Sequence, residues 1–352
     1  MNATLPNLTL SIVVPIYNVE AYLDQCLHTL VEISAIGRYE VILVDDCGQD
    51  SSMVIAENYL HSYPNIFKLV KHDKNQGIAA SRNTGLTEVV SPYVMFIDSD
   101  DWLSKHAIPE LLDVLTRQSP EFLFFDFTRE WENRREDMPF APSINKVCAI
   151  TEELYFSFLQ NIPVTSWGKV FRTEIARSLP FTKGIIFEDV AIIPSMILRS
   201  DNKLYLPGIR YHYRQREGSI MAERRGEAES LFNAYQILSS NQDDDSHYKK
   251  DIQFVLIKDW LINIRVAYRE NKHQKAIDLL DKGIKFLNQH HTGWHRNEHL
   301  IKHLSSGKPL SKVKVKILLS SLGTRAFNIL FLLHINYLPF TFSNARPLIN
   351  AM

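Results

Sequence analysis

Apolar positions in the first 130 residues alternate between short unbroken runs and runs at helical spacing. Leu10 to Tyr17 is a β-branched run, and from Val19 to Ile33 the positions Tyr22, Leu23, Leu27, Leu30 and Val31 share one helical face. Tyr39 to Val44 predicts a second strand and Ser51 to His61 a helix. Ile66 to Val70 predicts a third strand, Gly77 to Val89 a helix, and Tyr93 to Ile97 a fourth strand. A helix at Ile108 to Thr116 and a strand at Phe122 to Phe125 follow, with Glu130 to Met138 expected as a charged surface excursion. Nearly continuous apolar strands separated by amphipathic helices imply an α/β fold with a mostly parallel sheet covered by helices on both faces. Thr151 to Tyr213 is irregular and aromatic. After Ser219 the pattern turns helical, at Glu227 to Leu238, Tyr248 to Tyr268 and Gln274 to Asn288, with Asp243 to Asp245 read as a solvated turn. The expected organisation is an α/β domain over 1–222, with halves of about 1–103 and 104–222, and a helical C-terminal region over 223–352.

In such sheets ligands lie beyond the carboxyl ends of the strands. Those ends carry Asn18 after the first strand, Asp45 and Asp46 after the second, and Asp98, Ser99, Asp100 and Asp101 after the fourth. Several established chemistries lack their motifs. The first turn, Pro15 to Glu20, holds no glycine, so it is not a dinucleotide fingerprint, and no GxxxxGK[ST], HExxH or GxSxG occurs. Ionised carboxylates ending a buried strand are costly without a cation. Hard oxygen ligands suit Mg²⁺ or Mn²⁺, which usually complete their shells on phosphate oxygens, and such an ion can stabilise a departing diphosphate. The plainer alternative makes Ser99 or Asp100 the N-cap of a helix starting near Trp102.

Taken together these residues resemble the inverting GT-A glycosyltransferases of family 2, particularly the bacterial enzymes of surface polysaccharide synthesis. The likeness covers about the first 220 residues. It rests on Ser11-Ile-Val-Val-Pro-Ile-Tyr-Asn18, Val44-Asp-Asp46, Asn75-Gln-Gly77, Ala80-Ser-Arg-Asn83 with Gly85, and Phe96-Ile-Asp-Ser-Asp-Asp101. Further fragments are Ser166-Trp-Gly-Lys169, Phe187-Glu-Asp189 and Tyr211-His-Tyr-Arg214. Cys47 stands where a small polar residue is common, and Gly168 where Asn often stands.

The resemblance implies a UDP-sugar donor, with Pro15, Tyr17 and Asn18 on the uridine-side loop and Asp46 accepting the uracil N–H. Arg82 falls near the nucleotide and diphosphate, and Asp98 and Ser99 with the donor. Asp100 and Asp101 are expected on the Mn²⁺ or Mg²⁺ ion, with His212 a candidate third contact that also reads as a structural histidine. Trp167 and Lys169 are candidates to line the acceptor pocket, and Arg214 and Arg216 to close on the diphosphate. Inversion needs a base for the acceptor hydroxyl, and the resemblance makes Asp189 that base with Glu188 beside it. The plainer readings are packing for Tyr17 and Trp167, turn capping for Asp45 or Asp46, a surface ion pair for Arg82, and acids favoured by a helix dipole for Glu188 and Asp189. A catalytically silent glycan-binding scaffold, or a sugar nucleotidyltransferase, remains the alternative on this fold. The latter wants a basic, Gly-rich first loop.

Charge adds a second feature. The 352 residues carry a net charge of -1, which gives no basis for nucleic-acid binding. Residues 301–352 nevertheless hold seven Lys and Arg and no acid, which leaves 32 bases against 40 acids elsewhere. Lys312 to Lys316 followed by Ile317 to Leu319 and Ala326 to Leu333 gives a basic amphipathic tail over about 308–342, suited to an anionic membrane surface. The competing reading packs it on the body or a second subunit. No run approaches the roughly 18 apolar residues of a membrane span. With no recognisable leader and only Cys26, Cys47 and Cys148, the expectation is a cytoplasmic protein, peripheral on the inner face of the membrane. His295, His299 and His303 recur every four residues and predict one polar helix face rather than a zinc site.

Overall fold

The computed structural model describes residues 8–216, 228–241 and 248–305. These form two compact units, the first holding 8–216 and 229–241, the second 248–305. The C-terminal tail and the Asp243 to Asp245 turn lie outside the described residues.

In the first unit β1 (Leu10–Ile16), β2 (Tyr39–Asp45), β3 (Phe67–Lys71) and β4 (Tyr93–Phe96) pair in parallel in the order β3-β2-β1-β4. Every residue of β1, β2 and β4 is buried, which is why these strands read as unbroken apolar runs. The intervening helices are α1 (Glu20–Thr29), α2 (Ser52–Ser62) and α3 (Ile78–Glu88). Gly85 lets α3 lie directly on β1, since a Cβ there would run into the Val13 side chain. Beyond β4 the sheet continues through β9 (Lys169–Arg172), β6 (Phe122–Trp131), β10 (Lys203–Arg214) and β5 (Trp102–Leu103). β6 and β10 are parallel, whereas β9 runs antiparallel between β4 and β6.

Two local expectations change here. No helix starts near Trp102: that residue opens β5, and α4 begins only at Ala107, running to Gln118. A cap for a helix there is therefore not what Ser99 or Asp100 provides. The expected excursion at Glu130 to Met138 is a hairpin, in which β7 (Arg134–Met138) pairs with β6. The irregular stretch resolves into the two-residue strand β8 (Cys148–Ala149), α5 (Glu152–Asn161), β9, α6 (Thr173–Ser178), α7 (Glu188–Arg199) and β10. β10 escapes the alternation rule because Pro207 and Gly208 interrupt it, with register shifts between Leu206 and Tyr211. Helix α8 (Ala228–Ser240) belongs from Glu229 onward to this first unit, and Arg199 of α7 donates to the Asn241 carbonyl at 2.9 Å.

The second unit contains α9 (Lys249–Arg269), α10 (His273–His290) and α11 (Glu298–Ser305). Gly283 on α10 meets the Trp260 ring of α9, whose indole N–H donates to the Leu279 carbonyl at 2.8 Å. His295 falls in a 3-10 turn, Trp294–Arg296, ahead of α11, so the three imidazoles do not share one helix. His299 pairs with Asp251 at 2.8 Å. Among the described residues no group of three or more His, Cys, Asp or Glu could hold a metal ion, and no helix is long and apolar enough to cross a membrane.

Candidate active site

The carboxyl ends of β1, β2 and β4 open on one edge. β1 ends at Ile16, so Tyr17 emerges 47% exposed, and Asn18 follows in the left-handed region at φ 50°. The Asn18 side-chain oxygen accepts the Gln49 N–H at 2.7 Å, which binds the first loop to the second. Pro15 lies within β1, paired opposite Val44 and buried, so it shapes the strand end rather than the loop.

Asp46 does not present a free carboxylate. Its oxygens accept the N–H groups of Gln76 and Gly77, each at 2.8 Å, and lie 2.8 Å from His72 Nδ1, whose Nε2 reaches Thr84 at 2.9 Å. With 2% exposure it pins the turn before α3. Asp45, at the end of β2, spends one oxygen on the Cys47 N–H at 2.9 Å. Cys47 itself takes φ 57°, which turns the chain away from the strand.

The acids after β4 divide by environment. Asp101 is 1% exposed, with one oxygen accepting the Tyr211 hydroxyl at 2.6 Å and the other the Arg214 N–H at 2.8 Å. Both oxygens are committed inside the protein, so Asp101 fixes β10 to the acidic turn and is not disposed as a metal ligand. Burial, then Asp100 and Asp98, push its carboxyl well above the usual range. Asp98 gives one oxygen to Arg82 at 2.8 Å, and Asp100 gives one to Arg216 Nε at 2.7 Å. Their side chains keep 24% and 19% exposure, and each has a second oxygen without a hydrogen bond among the described residues. Ser99 between them is buried at 7% exposure.

Arg82 is the joint of the site. At 2% exposure it cannot be a surface ion pair, nor an open arm for a diphosphate. One terminal guanidinium nitrogen, Nη2, bonds Asp98 and the other, Nη1, bonds Glu188. Burial alone would lower its proton affinity, but Asp98 and Glu188 outweigh that and the net shift is upward, so it stays charged. Through Arg82 the start of α7 is tied to the turn after β4. Phe187, buried and in the left-handed region at φ 65°, sets the chain into α7 so that Glu188 and Asp189 occupy its first turn. That position gives them the favourable dipole the plainer reading supposed. Asp189 is part-buried, and its one hydrogen bond among the described residues runs from the Val190 N–H, at 2.8 Å. Burial, then the Glu188 charge, raise its carboxyl to about 7.

The remaining candidates sit in the frame. Trp167, 5% exposed, stacks on Tyr211 at 4.8 Å between centroids, and Lys169, 1% exposed, donates to Thr165 and the Trp167 carbonyl, each at 3.1 Å. Neither lines an open acceptor pocket. His212 lies 2.9 Å from Ser104 Oγ and 2.8 Å from Glu130, with its ring stacked on Trp102, so both nitrogens are occupied and it is a structural residue. Arg214 is fixed by bonds to the Asp100 carbonyl and to Gln25, at 2.8 and 2.6 Å, between the rings of Trp102 and Tyr22. Tyr22 and Gln25, on the face of α1 toward this edge, carried no motif by which sequence alone would select them.

The described donor set suits a particular kind of ion. Among the described residues it offers no closed cage, but one unbonded carboxylate oxygen on each of Asp98 and Asp100. Mg²⁺ and Mn²⁺ commonly take one or two carboxylates and fill the rest of the shell from phosphates and water.

Residues 11–180 match the family described as Glycosyl transferase family 2. The glycosyltransferase GlyA of Streptococcus pneumoniae serotype 4 is 27% identical over 224 residues, which is 60% of this chain and 31% of GlyA. The minor teichoic acid biosynthesis protein GgaB of Bacillus subtilis is 24% identical over 309 residues, 82% of this chain and 33% of GgaB. This chain thus spans about a third of the length of either relative. Among solved structures, S. aureus TarS 1-349 in complex with UDP-GlcNAc superposes with a TM-score of 0.61 at 19% identity, covering 79% of this chain and 81% of that one. That likeness extends to the fold, a GT-A-like α/β sheet. The parallel strands β1 to β4 and most of the motifs fall within the matched segment, and residues 11–180 of this chain are a glycosyl transferase family 2 domain.

Proposed function

We propose that the chain is an inverting, divalent-cation-dependent glycosyltransferase, moving a sugar from a UDP-sugar to a hydroxyl of a bacterial surface glycan or lipid-linked saccharide. The observation that carries this is the Arg82 bridge, which brings the Glu188–Asp189 pair to the acids that end β4. A donor acid and an acceptor-side acid joined through one buried cation make a two-substrate site.

Tyr17 is exposed where a base would stack. The uracil N–H falls to Asp45 rather than Asp46, because Asp46 is spent on the turn before α3. Asp100, with Asp98 beside it, would hold Mn²⁺ or Mg²⁺. Bound there, the ion would neutralise charge on the departing diphosphate. Asp189 takes the proton of the acceptor hydroxyl as that oxygen bonds to the anomeric carbon. The bond from that carbon to the diphosphate breaks, and UDP leaves with the electron pair. Attack opposite the leaving group inverts the anomeric centre. A carboxyl raised to about 7 is well matched to a general base near neutral pH.

The UDP donor draws on the fold shared with TarS, solved with UDP-GlcNAc, and the surface-glycan acceptor on the likeness to GgaB. The basic tail is assigned to an anionic cytoplasmic membrane surface, where a lipid-linked acceptor would lie.

Calorimetry of a UDP-sugar panel, with and without Mn²⁺, tests the reading on wild type, Asp100→Ala and Asp189→Asn. One UDP-sugar is expected to bind with metal, to be lost in Asp100→Ala, and to bind Asp189→Asn without being transferred. If no UDP species binds under either condition, the donor assignment is wrong and the scaffold alternative takes its place.

A further inference from the structure

Arg214 and Arg216, two residues apart at the end of β10, are held very differently. Arg214 is locked by its backbone N–H to Asp101, by Nε to the Asp100 carbonyl and by Nη2 to Gln25, and its guanidinium lies between two aromatic rings. Arg216 has a single polar bond, from Nε to the Asp100 carboxylate at 2.7 Å, and rests against the Tyr22 ring at 5.1 Å. Its two terminal nitrogens have no partner among the described residues. The backbone just before it is pinned, since the Gln215 N–H donates to the Glu130 carbonyl at 2.7 Å. Arg216 thus sits on a pinned root with its charge on Asp100, held there among the described residues by one hydrogen bond and one ring contact.

We infer that Arg216 is an exchangeable counter-cation for Asp100: a divalent ion arriving on that carboxylate displaces the guanidinium, which then moves to an oxygen of the donor's diphosphate. The inference rests on the metal-dependent donor site proposed above and adds the order of events within it.

The argument is electrostatic. Asp98, Asp100 and Asp101 lie together with part of their surface desolvated, and in the absence of a metal some cation must offset Asp100. Arg214 is already committed, and Arg82 is buried against Asp98 and Glu188. Among the described residues, Arg216 is the basic side chain bonded to that carboxylate. A guanidinium and a divalent ion on the same carboxylate repel, so each weakens the other there. A planar guanidinium released within reach of the metal is well shaped for a phosphate oxygen. Metal and diphosphate then bind cooperatively, because the ion frees the residue that the diphosphate uses. By linkage the diphosphate must strengthen the metal to the same extent.

The consequence is a mutant whose two affinities move in opposite directions. With Arg216→Gln, Mn²⁺ binding without nucleotide, read from the free-ion electron paramagnetic resonance signal, should tighten by about fivefold, the factor for a partly exposed ion pair at the strong end of its range. UDP binding at saturating Mn²⁺, read by calorimetry, should weaken by about the same factor or more. Arg216→Lys keeps the charge and should lie nearer wild type in both. Weakening of both affinities in Arg216→Gln would mean that Arg216 merely supports the fold, and unchanged Mn²⁺ affinity would mean it does not compete; either result overturns the exchange while leaving the donor site standing. Failure of wild type and variants alike to bind Mn²⁺ would overturn the metal-dependent site and the exchange with it.

Discussion

As the base of the proposed reaction, Asp189 has to be ionised when an acceptor hydroxyl arrives, and its surroundings resist that. Burial and the neighbouring Glu188 charge raise the carboxyl to about 7, while Arg82 limits the rise. In the proposed reaction the rate should therefore climb with pH and level off above about 7, measured as kcat/KM from pH 5 to 9; a plateau already reached at pH 5 would count against Asp189 as the base. The same shift bears on stability. A carboxyl raised above its ordinary value favours folding below that ordinary value, and the benefit is lost as pH rises through 7. Asp189→Asn avoids the loss. Its melting temperature relative to wild type should thus increase between pH 5 and pH 8, by about 2–4 °C for a stability change on the order of 1 kcal/mol. Arg82 makes a separate prediction. As a buried tie rather than a diphosphate ligand, its loss in Arg82→Gln leaves Glu188 and Asp98 uncompensated, and denaturant unfolding should show a cost of about 3–5 kcal/mol. Weakened UDP binding at unchanged stability would instead restore the ligand role.

At the level of elements, close helix packing holds Arg82 where it is. Arg82 and Gly85 are three residues apart on α3, and Gly85 is where that helix meets Val13 of β1. A methyl group at Gly85 must push α3 off the sheet, so Gly85→Ala should cost about 1–3 kcal/mol by the usual penalty for overpacking, and should reduce transfer by tilting the helix that carries Arg82. Gly283→Ala, which meets Trp260 in the second unit, should lower stability without that effect on transfer. Chevron and turnover measurements on both variants separate the two. Such packing explains what sequence could and could not reveal. β1, β2 and β4 are legible because burial on both faces demands unbroken apolar runs. β10 is hidden because Pro207 and Gly208 break its alternation while the strand continues past them. The acids at the strand ends are likewise legible as types at expected places, but their jobs are not. Asp46 and Asp101 differ from Asp45 and Asp100 only in which N–H and O–H groups the fold turns toward them. Partners such as Tyr211 for Asp101, 110 residues away in sequence, are set by the pairing of β10 with β5 and β6.

Across the whole molecule the uneven distribution of charge asks for a partner. In the proposed reading the described site meets two kinds of negative charge, its own carboxylates, which Arg82 and Arg216 offset as it stands, and a diphosphate donor. The seven bases of residues 301–352 are not needed for that and have no acids among them. In the proposed reading a stretch near +7 that also holds Leu- and Phe-rich sequence suits an anionic bilayer better than an acidic body, because the body's charge of about -8 is spread over 300 residues. Each basic residue near such a surface contributes about 1 kcal/mol, so the tail should bind vesicles strongly at low salt and release them as salt screens the charge. Sedimentation with phosphatidylserine vesicles is expected for the full chain, to fall steeply between low and physiological salt, and to disappear when residues 308–352 are removed. A truncated chain that stays soluble and still sediments would move the membrane contact onto the body. If only phosphatidylcholine is offered, the apolar residues act alone, and binding of the full chain to it with equal strength would remove charge from the explanation. Should the truncation leave transfer to a short soluble acceptor unchanged while slowing transfer to a lipid-linked one, the tail's contribution is to bring the site to the surface where the acceptor lies, and the chemistry belongs to the first unit.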